Sequence, residues 1–305
     1  MRFIRQDLLD SDGLKQIRAM DIAFIGNAEL DDRSKCSVES SQAIGRKSYR
    51  VQYFPTEKIL EVGGKRYMAS DNGLADLARD YPAGSIVIDA TTLDFAEISL
   101  LLYAYNSCYK TPQVGFVYME PEEYVRRTAE ESSVNGAAFD LSSGFSREQI
   151  PPFSCMFTGN DKAHLVAFLG FEGGRLTREL YDDNGHFFKE VTIVFGIPPF
   201  QATWDLEAFM ANGPLLRTSD AAVKFCGANN PKGAYEILST AHAALQGTDC
   251  NRLAVAPFGT KPMAIGAALY CATHRLLRVA FDHPVRKKGR TKGVHCAHWY
   301  EVEIR

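Results

Sequence analysis

Seven short apolar runs recur along the chain, at residues 22–25, 85–88, 114–118, 164–169, 191–195, 253–256 and 277–281. Runs this short and continuous suit strands buried on both faces of a parallel sheet, since half-exposed strands alternate and membrane spans are longer. Between them, residues 94–109, 232–245 and 262–273 have the length and composition of helices. Strand and helix in alternation predict an α/β fold with mainly parallel sheets.

The chain also resembles itself. Ala23-Phe24-Ile25-Gly26 is followed by acidic residues and Arg33, and Ala167-Phe168-Leu169-Gly170 by Glu172 and Arg175. The run ending Asp89-Ala90-Thr91 leads into a helix reading Leu100-Leu101-Leu102-Tyr103-Ala104. Its counterpart ending Pro257-Phe258-Gly259-Thr260-Lys261 leads into one reading Ala267-Ala268-Leu269-Tyr270-Cys271-Ala272. At about 150 residues per domain, a chain of this length makes two. The expectation is therefore two Rossmann-like units related by internal duplication. They would occupy residues 1–130 and 161–305, with a linker rich in Ser, Gly and Pro at 131–160. Unrelated α/β units would share the same apolar runs, which is the alternative to duplication.

Composition removes several classes of function. With 34 basic and 37 acidic side chains the net charge is −3, so no global field favours a long nucleic acid. No apolar run approaches the roughly 20 residues of a membrane span, and the N-terminal residues lack a signal-peptide core. Seven cysteines without a Cys-x-x-Cys pair suit reduced thiols, so a cytoplasmic location is expected.

In open α/β sheets, ligands gather beyond the carboxyl ends of the strands, where helix N-termini offer unpaired N–H groups. The residues there include 26–29, Asp89-Ala90-Thr91-Thr92, Glu120-Pro121, 170–175, 257–262 and Asp282-His283-Pro284. Gly259-Thr260-Lys261-Pro262 combines a glycine, a hydroxyl, a cation and a proline suited to a helix start, which together form an anion pocket. It lacks Walker A spacing, and a helix start with a solvated lysine is the plainer reading. Glu172 is a candidate for a ribose or base edge and Arg175 for a phosphate, against a simple turn with a Glu–Arg pair. The Gly170–Arg175 stretch does not meet the dinucleotide fingerprint. Asp89 with Thr91 is either a ligand contact or an N-cap. Lys232, beside the capping pair Asn230-Pro231, adds charge to the same pocket or simply extends a helix start.

Arg286–Lys292 carries five cations in seven residues, open to phosphates or nucleic acid but also readable as a solvated loop. His295-Cys296-Ala297-His298 offers too few ligands for a metal, so no metal site is expected.

The strand followed by Gly259-Thr260-Lys261-Pro262-Met263 and a helix of small residues resembles the turn of CARF domains, the Rossmann-like sensors of cyclic oligoadenylates in CRISPR systems. Where that family has Gly-Gly, this chain has Phe258-Gly259. A unit used twice is also similar to SAVED domains, two fused CARF-like halves that bind cyclic oligonucleotides. The resemblance implies a nucleotide sensor in bacterial antiviral defence, with the two halves facing each other across a central cleft.

The favoured reading is a nucleotide-binding regulatory protein that passes a signal to a protein effector or a second copy of itself. Gly259, Thr260, Lys261, Arg175 and Lys232 would serve phosphate, and Asp89, Thr91 and Glu172 ribose or base. One alternative is an enzyme acting on a nucleotide or nucleic acid, with Glu172, Asp89 and Asp282 as acid/base groups or Mg²⁺ ligands. Another is a non-catalytic scaffold subunit. No cofactor beyond that Mg²⁺ and no membrane partner is expected.

Overall fold

A computed structural model describes residues 1–26, 30–126, 138–139, 141–274 and 277–304. The expected turn at 27–29 and much of the expected linker, 131–137 and residue 140, lie outside the described residues.

The first unit comprises Met1–Val125, Ile150–Pro152 and Lys287–Arg305, and the second Arg126–Gln149 and Phe153–Arg286. Along the first unit run β1 (Arg2–Leu9), α1 (Ser11–Lys15), β2 (Met20–Gly26), α2 (Asp32–Ile44), β3 (Gly45–Phe54), β4 (Ile59–Val62) and β5 (Lys65–Met68). They are followed by α3 (Asp71–Asp80), β6 (Ser85–Asp89), α4 (Phe95–Cys108), β7 (Gln113–Glu120) and β8 (Glu123–Tyr124). The second unit holds β9 (Ser142–Gly144), β10 (Ala163–Leu169), α5 (Arg175–Asp183), β11 (Phe188–Gly196), α6 (Trp204–Ala211), α7 (Gly213–Thr218) and β12 (Ala222–Cys226). It continues with α8 (Pro231–Ala244), β13 (Arg252–Pro257), α9 (Lys261–Thr273), β14 (Arg278–Val279) and β15 (Val285–Arg286). The chain then returns to the first unit as β16 (Thr291–Lys292) and β17 (Cys296–Glu303).

The first unit's sheet has the order β1-β17-β7-β6-β2-β3-β4-β5. Its centre, β7-β6-β2-β3, is parallel, while β4 and β5 add an antiparallel meander at one edge and β17 and β1 an antiparallel pair at the other. The second unit's sheet, β12-β11-β10-β13-β14, is parallel throughout. Numbered along the chain, its order is 3-2-1-4-5, the beginning of the Rossmann order. The two sheets share the series β3-β2-β6-β7 and β11-β10-β13-β14, an order common to doubly wound sheets whatever their descent. The expected α/β class with Rossmann-like parallel units is thus the one observed.

The central strands are buried along nearly their whole length, β10 at every residue, which is why they read as unbroken apolar runs. The helices start where their caps dictate. Asp94 and Glu97 form a reciprocal capping box for α4, and Asn230 caps α8 ahead of Pro231.

Residues 287–305, expected in the second unit, instead complete the first. β17 lies antiparallel between β1 and β7 and sends Trp299 into a core with Met20, Ala23, Val87 and Val117. The second unit has its own core around Leu165, Ala167, Ile193, Phe195, Ala254 and Phe258. Among the described residues, no helix is long and apolar enough to cross a membrane.

Candidate functional site

In the second unit, β10 and β13 are neighbours, but β10 leads to β11 on one side and β13 leads to β14 on the other. The loops leaving the two strands therefore diverge, which makes this the sheet's switch point. They begin in close contact. A Cβ on Gly170 would sit 3.3 Å from the Phe258 carbonyl oxygen, and one on Gly259 would sit 3.0 Å from Phe168 Cβ.

Two helices start at this point. Thr260 caps α9, accepting from the Met263 N–H at 3.4 Å and donating to the Ala228 carbonyl at 2.5 Å, so Lys261 is the helix's first residue. The start of α5 differs: Gly174 holds a φ of 86° and provides no capping side chain. Its amides are left for another acceptor or for water.

Arg175, the first residue of α5, does not present its guanidinium to solvent. Arg175 and Asp282 each leave 7% of their side chains exposed. Nε lies 3.1 and 3.0 Å from the two Asp282 oxygens, and Nη2 also bonds Oδ1. Nη1 lies 3.5 Å from Glu172, and the guanidinium stacks over the Phe258 ring with its centre at 4.3 Å. Arg175, Glu172 and Asp282 therefore come together as one buried ion cluster, with the arginine claimed by the chain's own carboxylates. Burial, reinforced by the Asp282 charge, pushes the nearby Glu179 carboxyl up, against the opposing pull of Arg278.

Lys232 is exposed and pairs with Glu236 one turn along α8 at 3.6 Å. Asp89 and Thr91 belong to the first unit. Asp89 is fully buried at the end of β6, and its oxygens accept from Thr91 N (3.0 Å), Thr92 N (3.2 Å), Thr92 Oγ1 (2.6 Å) and Ser37 Oγ (2.6 Å). Burial raises its carboxyl above the ordinary range despite those bonds. Thr91 Oγ1 accepts in turn from Met119 N at 2.9 Å. Together these groups tie the end of β6 to α2 and β7, which makes Asp89 a structural hub rather than a residue offered to a ligand.

The basic run is part of the folded chain. Arg286 lies in β15 opposite Ser142, Thr291 is buried against Asp31 and Arg33, and Lys292 pairs with Glu123 at 3.0 Å. Arg33 occupies the first turn of α2 as Arg175 does that of α5, and it too is buried on a carboxylate, with Nη2 3.0 Å from Asp31.

One constellation escaped the sequence reading. Glu120 ends β7 directly opposite Cys296 of β17, and His298, two residues on, shares the same face of the sheet. Glu120 Oε2 lies 2.8 Å from His298 Nε2 and 3.4 Å from Cys296 Sγ, and the sulfur lies 3.7 Å from that nitrogen. Burial and the Glu120 charge push the Cys296 thiol up to about 12. Glu120 was visible as a strand-end acid and the Cys-x-His pair as a motif, but their pairing across 176 residues was not.

No family model matches the chain, and no curated protein matches it. A crystal structure of an N-terminal ketoreductase from a macrolactin assembly line is similar over 90% of this chain and 72% of its own, at 10% identity and a TM-score of 0.23. A score that low carries neither fold nor chemistry across.

Proposed function

We propose that the chain is a ligand-binding, sensor-type protein that takes the phosphate of a nucleotide at the switch point of its second unit and signals occupancy to a partner. The observation that carries this reading is the start of α9, Thr260-Lys261, at the mouth of β13 and beside the uncapped, glycine-led start of α5. Phosphate oxygens would be met by the backbone amides that open α5 and by the Lys261 ammonium, since Pro262 has no N–H and Met263 gives its own to Thr260. Arg175, held by Asp282, would act as a fixed wall behind them. The hydrolase alternative is weakened by the same geometry, because Asp282 and Glu172 share one arginine and Asp89 is spent within the first unit. Descent from a duplicated unit is part of the proposal and rests on the self-similarity of the sequence, Ala23-Phe24-Ile25-Gly26 against Ala167-Phe168-Leu169-Gly170.

The test is a thermal-shift titration with ATP, AMP and cyclic oligoadenylates, followed by analysis of the recovered nucleotide. At 100 times the dissociation constant a bound ligand stabilises by about 2.7 kcal/mol. A melting shift with unchanged nucleotide, lost in Lys261→Ala, is the expected result. Unaltered affinity in Lys261→Ala, or no shift with any of these nucleotides, overturns the site. Conversion to product assigns the protein to the enzymes instead.

A further inference from the structure

The geometry points to a transition-metal site of the Zn²⁺ class made by Glu120, Cys296 and His298, a site separate in kind and in residues from the nucleotide reading above.

Three features of the cluster support it. The first is convergence. Around a tetrahedral Zn²⁺ with bonds of about 2.0 Å to N and O and about 2.3 Å to S, ligand atoms stand roughly 3.3–3.5 Å apart. Here the S–O and S–N separations are 3.4 and 3.7 Å, and only the O–N pair, at 2.8 Å, must open to admit the ion. That short contact is the hydrogen bond the metal would replace.

The second is an orphaned atom. Glu120 leaves only 5% of its side chain exposed, and its Oε1 has no hydrogen-bond partner among the described residues. A buried carboxylate oxygen without a donor is costly. Bidentate ligation by Glu120 satisfies it and supplies a fourth donor atom.

The third is chemistry. A nucleophilic cysteine dyad or triad uses both imidazole nitrogens, one toward the thiol and one toward the carboxylate. In this cluster the sulfur and the carboxylate both address Nε2, which suits a shared cation rather than a proton relay. A thiolate, an imidazole and a carboxylate form the borderline-soft set chosen by Zn²⁺ or Co²⁺, whereas Mg²⁺ and Ca²⁺ take oxygen ligands throughout. On binding, the Cys296 proton passes to solvent, and the proton held between Glu120 Oε2 and His298 Nε2 moves to solvent or, by tautomerisation, to Nδ1. Tyr118 and Tyr300 flank the His298 ring with centroids at 5.8 and 6.0 Å and hold its plane. Cys296 is the partly exposed member and gives the ion its way in.

The experiment is a Co²⁺ titration of the full chain after removal of metal with a chelator. The expected result is one equivalent bound with a thiolate-to-cobalt charge-transfer band, which Zn²⁺ then displaces. Cys296→Ser should abolish the band, and His298→Asn should weaken Co²⁺ binding at least tenfold, with unchanged far-ultraviolet circular dichroism in both. Binding without a charge-transfer band, or affinity unchanged in Cys296→Ser, overturns the site. Should a variant fail to fold, the wild-type chain still decides the matter, because the band and its displacement by Zn²⁺ either appear or do not.

Discussion

Arg175 and Asp282 meet edge to edge, with the guanidinium Nε 3.1 and 3.0 Å from the two carboxylate oxygens and the Phe258 ring beneath. Each side chain is almost wholly buried. Removing one partner strands the other's charge away from water, at a cost of about 3–5 kcal/mol. Arg175→Met should therefore lower the urea midpoint sharply, and adding Asp282→Leu should recover much of the loss. An Arg175→Met chain as stable as the wild type would contradict the pairing.

Asp89 should behave as part of the scaffold. Asp89→Ala leaves two backbone amides and the Thr92 hydroxyl without their acceptor, at about 1–3 kcal/mol for each donor that water does not reach, while Ser37 Oγ keeps Thr91 Oγ1 at 2.9 Å. Chemical denaturation should show the loss with no nucleotide present. A residue kept for a ligand would be replaced with little effect on the free protein.

Acid should weaken the first unit through Asp31. Burial alone would raise its carboxyl, but the Arg33 guanidinium and the hydroxyls of Thr291 and Ser34 outweigh it and bring the value from 3.8 down to about 2. A depressed acid stabilises the fold above its unfolded value. That contribution, about 2 kcal/mol, is lost as the pH falls through the folded value. Urea midpoints measured between about pH 5 and pH 2 should fall in the wild type and fall less in Asp31→Asn.

Gly115 of β7 makes room for a ring. A Cβ there would come within 2.1 Å of Trp299 Cη2 and 2.6 Å of Cζ2. Gly115→Ala should cost about 1–3 kcal/mol through overpacking. Trp299 fluorescence should shift toward that of an exposed indole well before the second unit's signals change.

The parallel centre of each sheet was legible because strands covered on both faces are apolar along their length, as in β2, β6, β10 and β13. The helices α4, α8 and α9 were legible to within a residue or two at each end, since Asp94, Asn230 and Thr260 mark their starts. The edges were not. β12 is exposed at four of its five positions and carries no apolar run, and α2 buries serines rather than a hydrophobic stripe. Nothing local gave the last strand its partners, because pairing with β1 and β7 depends on groups far away in sequence. At the site, the turn 257–262 was recognisable as a helix start. Nothing local revealed that Arg175 would be captured by Asp282, 107 residues further on. The same distance effect hid Glu120 from Cys296 and His298.

The return of β17 to the first sheet also sets an order of assembly. β1 and β7 flank a slot that only residues 296–303 fill, and every strand of the second unit's sheet precedes them. During synthesis the second unit has its whole parallel sheet before the first can close its own. Until then β7 presents an open edge and Gly115 an empty space where the indole belongs. The first unit therefore begins folding first and finishes last, so the interval between those events is the time in which the nascent chain most needs protection from association with other chains.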